Sequence, residues 1–256
     1  MKQLNRSAGE LYTAYETWKG WMDNSDAGDF SNYYFSNELK RAIILPSARL
    51  LEIGFGSGEF MDWASANGYD VSGVEINKEM IDKAESNGHR VYFGAIDDVS
   101  DEIDTQFDAV IAFDVFEHLK KESIIKNLVL INQMMVVGGR ILLRFPNGQS
   151  PFGRCYQYGD LTHETVLTSS SIEQAGFMAG FSLIGCYNPI RKQTGRKPML
   201  VRKVAYLVRD ILEIFIGHLY YRTRIPLDPN LVCVLEKTGE PLNGQEKHKD
   251  TEDDGE

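Results

Sequence analysis

The chain has 256 residues, of which 43% are hydrophobic and 25% are charged, as in an ordinary soluble globular protein. Its formal net charge of −10 argues against nucleic-acid binding by the whole surface. The N-terminus lacks an apolar signal segment, and no stretch of about 18 uncharged apolar residues exists to cross a membrane. Three cysteines without CxxC spacing, Cys155, Cys186 and Cys233, suit a reducing compartment and argue against a disulfide framework. The sequence therefore predicts a cytoplasmic protein.

Residues 1–46 are predicted to form an N-terminal helical lid. Aromatic side chains between positions 12 and 22 recur every three or four residues, which places them on one helix face. A second helical piece spans 32–44, and Pro46 ends it. We expect these aromatic residues to pack in the core or to cover a ligand site.

Strands and helices alternate from residue 47 onward. The predicted strands are 48–53, 70–76, 90–94, 107–114, 140–145, 181–187 and 231–237, and the predicted helices are 59–67, 78–87, 122–135 and 169–175. This order predicts an α/β, Rossmann-like, doubly wound fold whose seven-stranded sheet is mostly parallel, with an antiparallel edge strand and an inserted amphipathic helix. The domain spans 47–237, and the acidic tail, 238–256, is predicted to be disordered.

Residues 51–59, LEIGFGSGE, place three glycines at alternate positions between the first strand and the first helix of the domain. Gly54, Gly56 and Gly58 serve either a turn that needs positive φ or a ligand that must touch bare backbone. Glu75 ends the second strand, where an acidic residue can accept hydrogen bonds from both hydroxyls of a ribose. The spacing predicts an adenosine ligand, and a tight turn without a ligand is the alternative.

Two carboxylates, Glu52 and Glu59, flank the glycines. Their charge distinguishes a dinucleotide from an adenosine ligand that carries a sulfonium. The dinucleotide fingerprint G-x-G-x-x-G serves a pyrophosphate at a helix N-terminus, which these carboxylates disfavour. They suit a sulfonium cation and an amino group instead. A nicotinamide-dependent oxidoreductase is the alternative, and the absence of a Tyr-x-x-x-Lys pair after the central strands also counts against it.

Four segments in chain order, LLEIGFGSGEF, GYDVSGVEIN, FDAVIAFDVFEHL and GGRILLRFPN, resemble the class I S-adenosylmethionine-dependent methyltransferases over residues 48–187 and the last strand. The resemblance implies S-adenosylmethionine as the cofactor. By this resemblance, the methionine part of the cofactor contacts Glu52, Gly54, Gly56 and Gly58. The ribose contacts Glu75, and the adenine contacts Ile76, Ile96 and Asp97. At the end of the fourth strand, the cofactor contacts Phe113 and Asp114. Ala95 stands where the family often has an acidic residue, which leaves open which aspartate contacts the adenine.

An alcohol acceptor must lose its proton during methyl transfer, so a base should lie nearby. His118 in FDVFEHL and His163 in YGDLTHE are the candidate catalytic residues, and Asp160 would orient His163 or bind a substrate hydroxyl. The alternatives are structural: a helix cap or packing role for His118, and a loop-ordering hydrogen bond for His163.

The segments FPNGQSP and YGDLTHE also resemble methyltransferases of bacterial surface-polysaccharide and glycan assembly. That resemblance implies a sugar hydroxyl as the acceptor. A lipid-linked glycan is one molecule that could carry it. Another small molecule is the alternative acceptor, and a non-catalytic peripheral membrane protein with a vestigial fold is the alternative function. No N-P-P-Y tetrad indicates nucleic-acid chemistry, and no residue cluster with metal-ligand spacing predicts a metal site.

A basic segment interrupts the acidic chain between positions 190 and 224. It contains nine Lys or Arg residues and two Asp or Glu residues. Within 196–224, apolar residues recur at helical spacing, and arginines, lysines and tyrosines flank them. This pattern predicts an amphipathic helix. Its apolar face could lie on an anionic membrane surface, pack over the sheet or contact another copy of the chain, and the oligomeric state stays open.

Overall fold

The computed structural model describes residues 27–191 and 199–242 of the chain. Three predicted features therefore lie wholly or partly outside the described residues. They are the aromatic stripe at 12–22, the start of the basic segment at 192–198, and the acidic tail from residue 243 onward.

Seven strands form one sheet, as the sequence predicts. They are β1 (Arg49–Ile53), β2 (Asp70–Glu75), β3 (Arg90–Phe93), β4 (Phe107–Phe113), β5 (Met135–Pro146), β6 (Phe181–Tyr187) and β7 (Asn230–Lys237). The spatial order is β3-β2-β1-β4-β5-β7-β6. Strands β1 to β5 are parallel, and β7 runs antiparallel between β5 and β6. The two strands that follow β1 in the chain lie on one side of it, and β4 and the later strands lie on the other. This reversal of strand order between β1 and β4 predicts a ligand crevice at their carboxyl ends.

Helices cover both faces of the sheet. They are α1 (Ala27–Arg41), α2 (Glu59–Ala66), α3 (Lys78–Ser86), α4 (Ile96–Val99), α5 (Lys121–Gln133), α6 (Arg154–Gln157), α7 (Ser169–Met178) and α8 (Met199–Ile216). Helices α1, α2 and α3 contribute to the core on one face, and α4, α5 and α7 to the core on the other. The central strand β4 is an apolar run because its alternate side chains enter these two cores. The doubly wound fold is confirmed.

The boundary between α5 and β5 differs from the prediction. The helix ends at Gln133 and the strand begins at Met135, so β5 starts before the predicted position 140 and includes Gly138 and Gly139. The ladder with β4 is irregular here, because Met135 pairs with Phe107 while the regular register resumes at Arg140. Gly138 has a φ of 80° in this bulge. Periodicity of apolar residues cannot show such an insertion.

The cysteine prediction is wrong for one pair. Cys186 on β6 and Cys233 on β7 occupy directly paired positions and form a disulfide, whereas Cys155 is free and exposed. The two cysteines are 47 positions apart, and only the register of the antiparallel pair brings them together. Sequence spacing alone therefore could not show the bond.

The predicted amphipathic helix is present as α8, which continues into a π-helical turn, Gly217–Tyr221. It lies in the insertion between β6 and β7. Among the described residues, we find no helix with the length and apolar character needed to cross a membrane.

Candidate active site

The glycine-rich turn after β1 needs its glycines for two reasons. Gly54, Gly56 and Gly58 have φ values of 67°, 52° and 82°, a region that strains other residues. In addition, a Cβ atom on Gly54 would lie 2.6 Å from Cγ2 of Val115, in the segment that follows β4. The turn therefore packs directly against the β4 end of the crevice.

Glu75 joins this turn to the end of β2. Its Oε2 accepts a hydrogen bond from the Gly56 backbone N–H at 2.9 Å. Its Oε1 accepts from the backbone N–H groups of Ile76 at 2.8 Å and Asn77 at 3.0 Å. A carboxylate has about four acceptor positions, so these bonds fix the group and leave capacity for a ligand hydroxyl.

Glu52 gives the crevice a preference for positive charge. Its side chain is buried, and Oε2 has no hydrogen-bond partner among the described residues. Burial raises the pKa of this carboxyl well above its usual range, and the nearby Glu75 charge raises it further. A cationic group beside Glu52 would relieve both effects. The site therefore fits a ligand that carries an amino group and a sulfonium, as the sequence predicts.

The residues predicted at the adenine lie in different environments. The Ile76 side chain is about half exposed, whereas Ile96 belongs to the buried core. Asp97 is bonded to Lys126 Nζ at 2.9 Å, which lowers the pKa of its carboxyl. Asp98 instead accepts from the Ala95 backbone N–H at 3.2 Å. No geometry here assigns the adenine contact to either aspartate, and these roles stay predictions.

An ion pair lies at the end of β4, beside the predicted cofactor crevice. Asp114, with a φ of 58°, pairs with Arg144 of β5, whose guanidinium lies 4.8 Å from the Phe113 ring centre. Arg144 also donates to the Tyr34 hydroxyl at 3.1 Å. Burial raises the Tyr34 pKa to about 12. Arg144 and Tyr34 were not predicted, although an arginine near the end of the apolar strand RILLRF was a usable signal.

A second group of polar residues, which we name the histidine cluster, consists of Glu117, His118, Asp160, Thr162 and His163. Glu117 and His118 lie on the short 3-10 turn Phe116–His118 that follows β4. The other three lie on the loop after β5. The carbonyl of Glu117 accepts from the backbone N–H groups of Glu164 and Thr165 at 2.9 and 3.0 Å, which ties the loop to the turn.

The hydrogen bonds of the cluster determine where each imidazole carries its proton. His118 Nδ1 lies 3.2 Å from the Thr162 carbonyl and 3.0 Å from Thr162 Oγ1. That hydroxyl donates to Asp160 Oδ1 at 2.6 Å, so it accepts from His118. His163 Nδ1 lies 2.9 Å from the Gln157 carbonyl, which can only accept. Both Nδ1 atoms are therefore donors, and each neutral ring keeps a lone pair on Nε2.

The two rings and two carboxylates lie close together. The ring centres of His118 and His163 are 4.7 Å apart. His163 Nε2 lies 3.9 Å from Glu117 Oε1 and 3.9 Å from Asp160 Oδ2. The structure thus brings together all three predicted catalytic residues. It adds Glu117 and Thr162, which stand beside them in FEHL and DLTH and could have been considered from those motifs.

The cluster also has a set of atoms that could bind a metal ion. Glu117, His118 and His163 each offer one ligand atom, and the three atoms lie within 4.8 Å of one another. The sequence predicts no metal site because the ligands come from two loops that are distant along the chain. The expectation and the geometry therefore differ at this point.

Comparisons with known proteins bear on this architecture. A family model described as a methyltransferase domain matches residues 27–184. A solved structure of a SAM-dependent methyltransferase from Archaeoglobus fulgidus aligns with a TM-score of 0.60 and 21% identity, over 82% of this chain and 97% of that one. One from Clostridium acetobutylicum aligns with a TM-score of 0.55 and 10% identity, over 90% and 98%. No curated protein matches the chain.

The chain belongs to the methyltransferase domain family, because the family model covers more than half of it. This result confirms the resemblance drawn from the ordered motifs and supports S-adenosylmethionine as the cofactor. The fold alone would not establish the reaction, since the cyclase SpnF aligns with a TM-score of 0.58 and 15% identity, over 92% of this chain and 95% of that one.

Proposed function

We propose that this methyltransferase binds S-adenosylmethionine and methylates a hydroxyl group of a sugar, within a glycan or surface polysaccharide. The histidine cluster carries the proposal, because it places two imidazoles and two carboxylates beside the crevice at the carboxyl end of β4. When bound, the cofactor supplies a methyl group activated by a sulfonium. Glu52, Gly54, Gly56 and Glu75 would hold the cofactor.

The cluster suits an alcohol nucleophile. The hydroxyl oxygen forms a bond to the methyl carbon, the carbon–sulfur bond breaks, and S-adenosylhomocysteine leaves. The hydroxyl proton passes to a base of the cluster, which is either an imidazole or the Asp160 carboxylate. Alignment of the two reacting atoms lowers the barrier further, by up to about 7–11 kcal/mol in intramolecular models.

Two features support a sugar acceptor over other small molecules. The loop that carries His163 contains the segments that resemble glycan methyltransferases. Carboxylates and hydroxyls at the cluster, such as Asp160 and Thr162, match the hydrogen-bonding groups of a polyhydroxylated ring. A methyltransferase acting on another small molecule and a non-catalytic protein with the same fold are the alternatives that an experiment must separate.

The acceptor test incubates the protein with S-adenosylmethionine and separate acceptors: nucleotide sugars, lipid-linked glycans, phenols and amines. We expect S-adenosylhomocysteine and a methylated sugar to form together, as measured by mass spectrometry. Turnover with phenols or amines alone would indicate another acceptor class. Cofactor binding without any turnover would favour the non-catalytic alternative.

Two variants separate cofactor binding from chemistry in this test. Glu75→Ala should weaken S-adenosylhomocysteine binding by about 1.5–3 kcal/mol, because the carboxylate accepts a hydrogen bond from a ribose hydroxyl. His163→Ala should lower kcat about 100-fold or more while calorimetry shows nearly unchanged S-adenosylhomocysteine affinity. A near-normal rate for His163→Ala would remove this residue from the mechanism, and unchanged affinity for Glu75→Ala would contradict the assigned pocket.

We further propose that the protein works at a membrane surface, through α8. This helix turns its polar side toward the protein: Asp210 pairs with Arg191 at 2.7 Å, Arg209 pairs with Asp228, and Glu213 accepts from the Leu227 backbone N–H at 3.1 Å. Glu213 is its one buried residue among those described. Its apolar side chains are exposed instead, including Leu200, Val204, Leu207, Val208, Ile211, Leu212 and Phe215.

The charge of this segment favours an anionic lipid surface as the occupant of the apolar face. Both acidic residues of the basic segment, Asp210 and Glu213, are held in contacts on the inner side. Lys203 and Arg222 are exposed, and the exposed Tyr220 and Tyr221 follow the helix. A helix with outward apolar residues, flanking cations and tyrosines matches the chemistry of a membrane interface.

The position of α8 is consistent with a lipid-linked acceptor. Strand β6 runs parallel to β5, so its end at Tyr187, where the insertion begins, lies on the same sheet edge as the glycine turn. After α8, the chain returns along the loop that leads to His163: Asn147 Nδ2 donates to the Pro226 carbonyl at 3.0 Å, and Ser150 Oγ donates to the Leu227 carbonyl at 2.6 Å. A membrane beneath α8 would therefore lie on the active-site side.

A further inference from the structure

We propose that Glu117, His118 and His163 bind a divalent first-row transition-metal ion. The inference deepens the proposed function, on which it rests, by giving the histidine cluster a resident cation. One atom from each side chain can serve as ligand, and the three lie within 4.8 Å of one another. Two imidazole nitrogens and one carboxylate oxygen are a donor set that Zn²⁺, Co²⁺, Fe²⁺ and Mn²⁺ accept.

The hydrogen bonds behind the imidazoles are those expected at a metal site. A ligating histidine usually donates its second ring N–H to a carbonyl or carboxylate, which fixes the ring and directs the other nitrogen to the metal. Both histidines follow this pattern, with His163 Nδ1 bonded to the Gln157 carbonyl and His118 Nδ1 to Thr162. Thr162 is in turn held by Asp160. With these bonds in place, Nε2 is the atom through which each ring would ligate the ion.

The surroundings also fit a cation that takes part in the reaction. Glu117 is buried on the turn that follows β4. This turn begins directly after Val115, which packs against Gly54 of the glycine-rich turn. The cluster therefore adjoins the predicted cofactor crevice. Three protein ligands leave coordination positions open, as in catalytic sites. A cation there would bind the acceptor hydroxyl and make its proton more acidic. Because the cation occupies the imidazole lone pairs, Asp160 would be the residue that takes the proton.

Calorimetric titration with Zn²⁺ tests the proposal directly, using tag-free, chelator-treated full-length protein in a Cys155→Ser background. That substitution removes the exposed thiol, which could bind metal by itself. We expect one Zn²⁺ per chain and, with Co²⁺ as a second probe, a visible absorption band from ligation. His163→Ala and Glu117→Gln should each weaken Zn²⁺ binding by more than about tenfold, since even the loss of a hydrogen bond behind a ligand costs roughly 10–100-fold.

A matched control distinguishes the cluster from a single histidine beside a carboxylate. His89 Nε2 lies 2.7 Å from Asp62 Oδ1 on helix α2, so this pair resembles the cluster in composition but lacks the second imidazole. His89→Gln should leave Zn²⁺ binding unchanged. Binding that survives in both His163→Ala and Glu117→Gln, or the absence of binding in the parent protein, would overturn the metal site.

The same samples keep this inference separate from the proposed function. Methyl transfer to a sugar in protein that binds neither Zn²⁺ nor Co²⁺ would reject the metal and leave the function standing. Stoichiometric metal binding that depends on Glu117 and His163, without methylation of any tested sugar, would support the metal site and reject the sugar acceptor.

Discussion

Glu52 shows how a single buried residue can favour ligand binding at the expense of stability. Its carboxyl is buried beside Glu75, and no described group donates a hydrogen bond to Oε2. In the ligand-free protein, the charged form is therefore disfavoured relative to an unfolded chain, in which water solvates the group. A bound cation would reverse this preference. The residue is thus better explained by the ligand than by the fold.

This environment gives a pH prediction for Glu52→Gln. The folded-state pKa of Glu52 is raised above its unfolded value, so the native state binds the proton more strongly. The contribution of this proton to stability is fully present below the unfolded pKa and is lost as pH rises through the folded pKa. Glu52→Gln should therefore make the ligand-free protein more stable relative to the parent at pH 8 than at pH 4, by urea unfolding.

The cofactor provides the control for this prediction. Glu52→Gln should weaken S-adenosylhomocysteine binding about tenfold or more, because an amide replaces a carboxylate opposite an ammonium group. Asp108→Asn, at a half-exposed carboxylate that pairs with Arg49 across β1 and β4, should change neither property to the same extent. An equal stability difference at both pH values would contradict the proposed role of proton binding.

Among the secondary-structure elements, local sequence patterns predicted most of the sheet and little of the site geometry. The seven strands and the glycine turn follow from apolar runs and turn residues, which are local signals. The bulge at Gly138, the disulfide and the meeting of His118 with His163 depend on the register between strands and on a loop that returns to the turn after β4. Such contacts are set by tertiary packing, which a single sequence does not display.

Helix α8 differs from the other long helices because its apolar side is turned outward. We expect the protein to co-sediment with vesicles of mixed phosphatidylglycerol and phosphatidylcholine, and not with phosphatidylcholine alone. Binding should decrease as salt rises, since the cations interact with anionic lipid through a screened field. The double variant Leu207→Ser/Ile211→Ser should reduce the bound-to-free ratio about tenfold or more, because it removes apolar area from the interface.

The control for α8 uses exposed apolar residues elsewhere. Leu45 and Val137 are 68% and 73% exposed and lie outside the helix, so Leu45→Ser/Val137→Ser should leave vesicle binding unchanged. Size-exclusion chromatography with light scattering addresses the competing occupant. A parent dimer that the Leu207→Ser/Ile211→Ser variant converts to a monomer, without vesicle binding by either, would assign the apolar face to a second copy of the chain.

At the scale of the whole molecule, the Cys186–Cys233 disulfide closes the base of the insertion that carries α8. The insertion leaves the sheet just after Cys186 and returns to it just before Cys233, so the bond joins both ends of the segment. It also fixes the register of β7, whose other edge pairs with β5 beside the loop of the histidine cluster. The bond therefore connects helix α8 to the part of the sheet that supports the histidine cluster.

Counting thiols tests this arrangement. Protein purified without reductant and denatured in guanidinium should titrate one thiol per chain, Cys155, and Cys155→Ser should titrate none. Reduction should lower the free energy of unfolding by about 2–4 kcal/mol, because a loop on the order of 50 residues is no longer closed in the unfolded chain. Cys186→Ser/Cys233→Ser should match the reduced protein and no longer respond to reductant. Three thiols in the untreated protein would instead support the reducing environment predicted from the sequence. Cys186 and Cys233 would then be two thiols packed against each other within the same sheet.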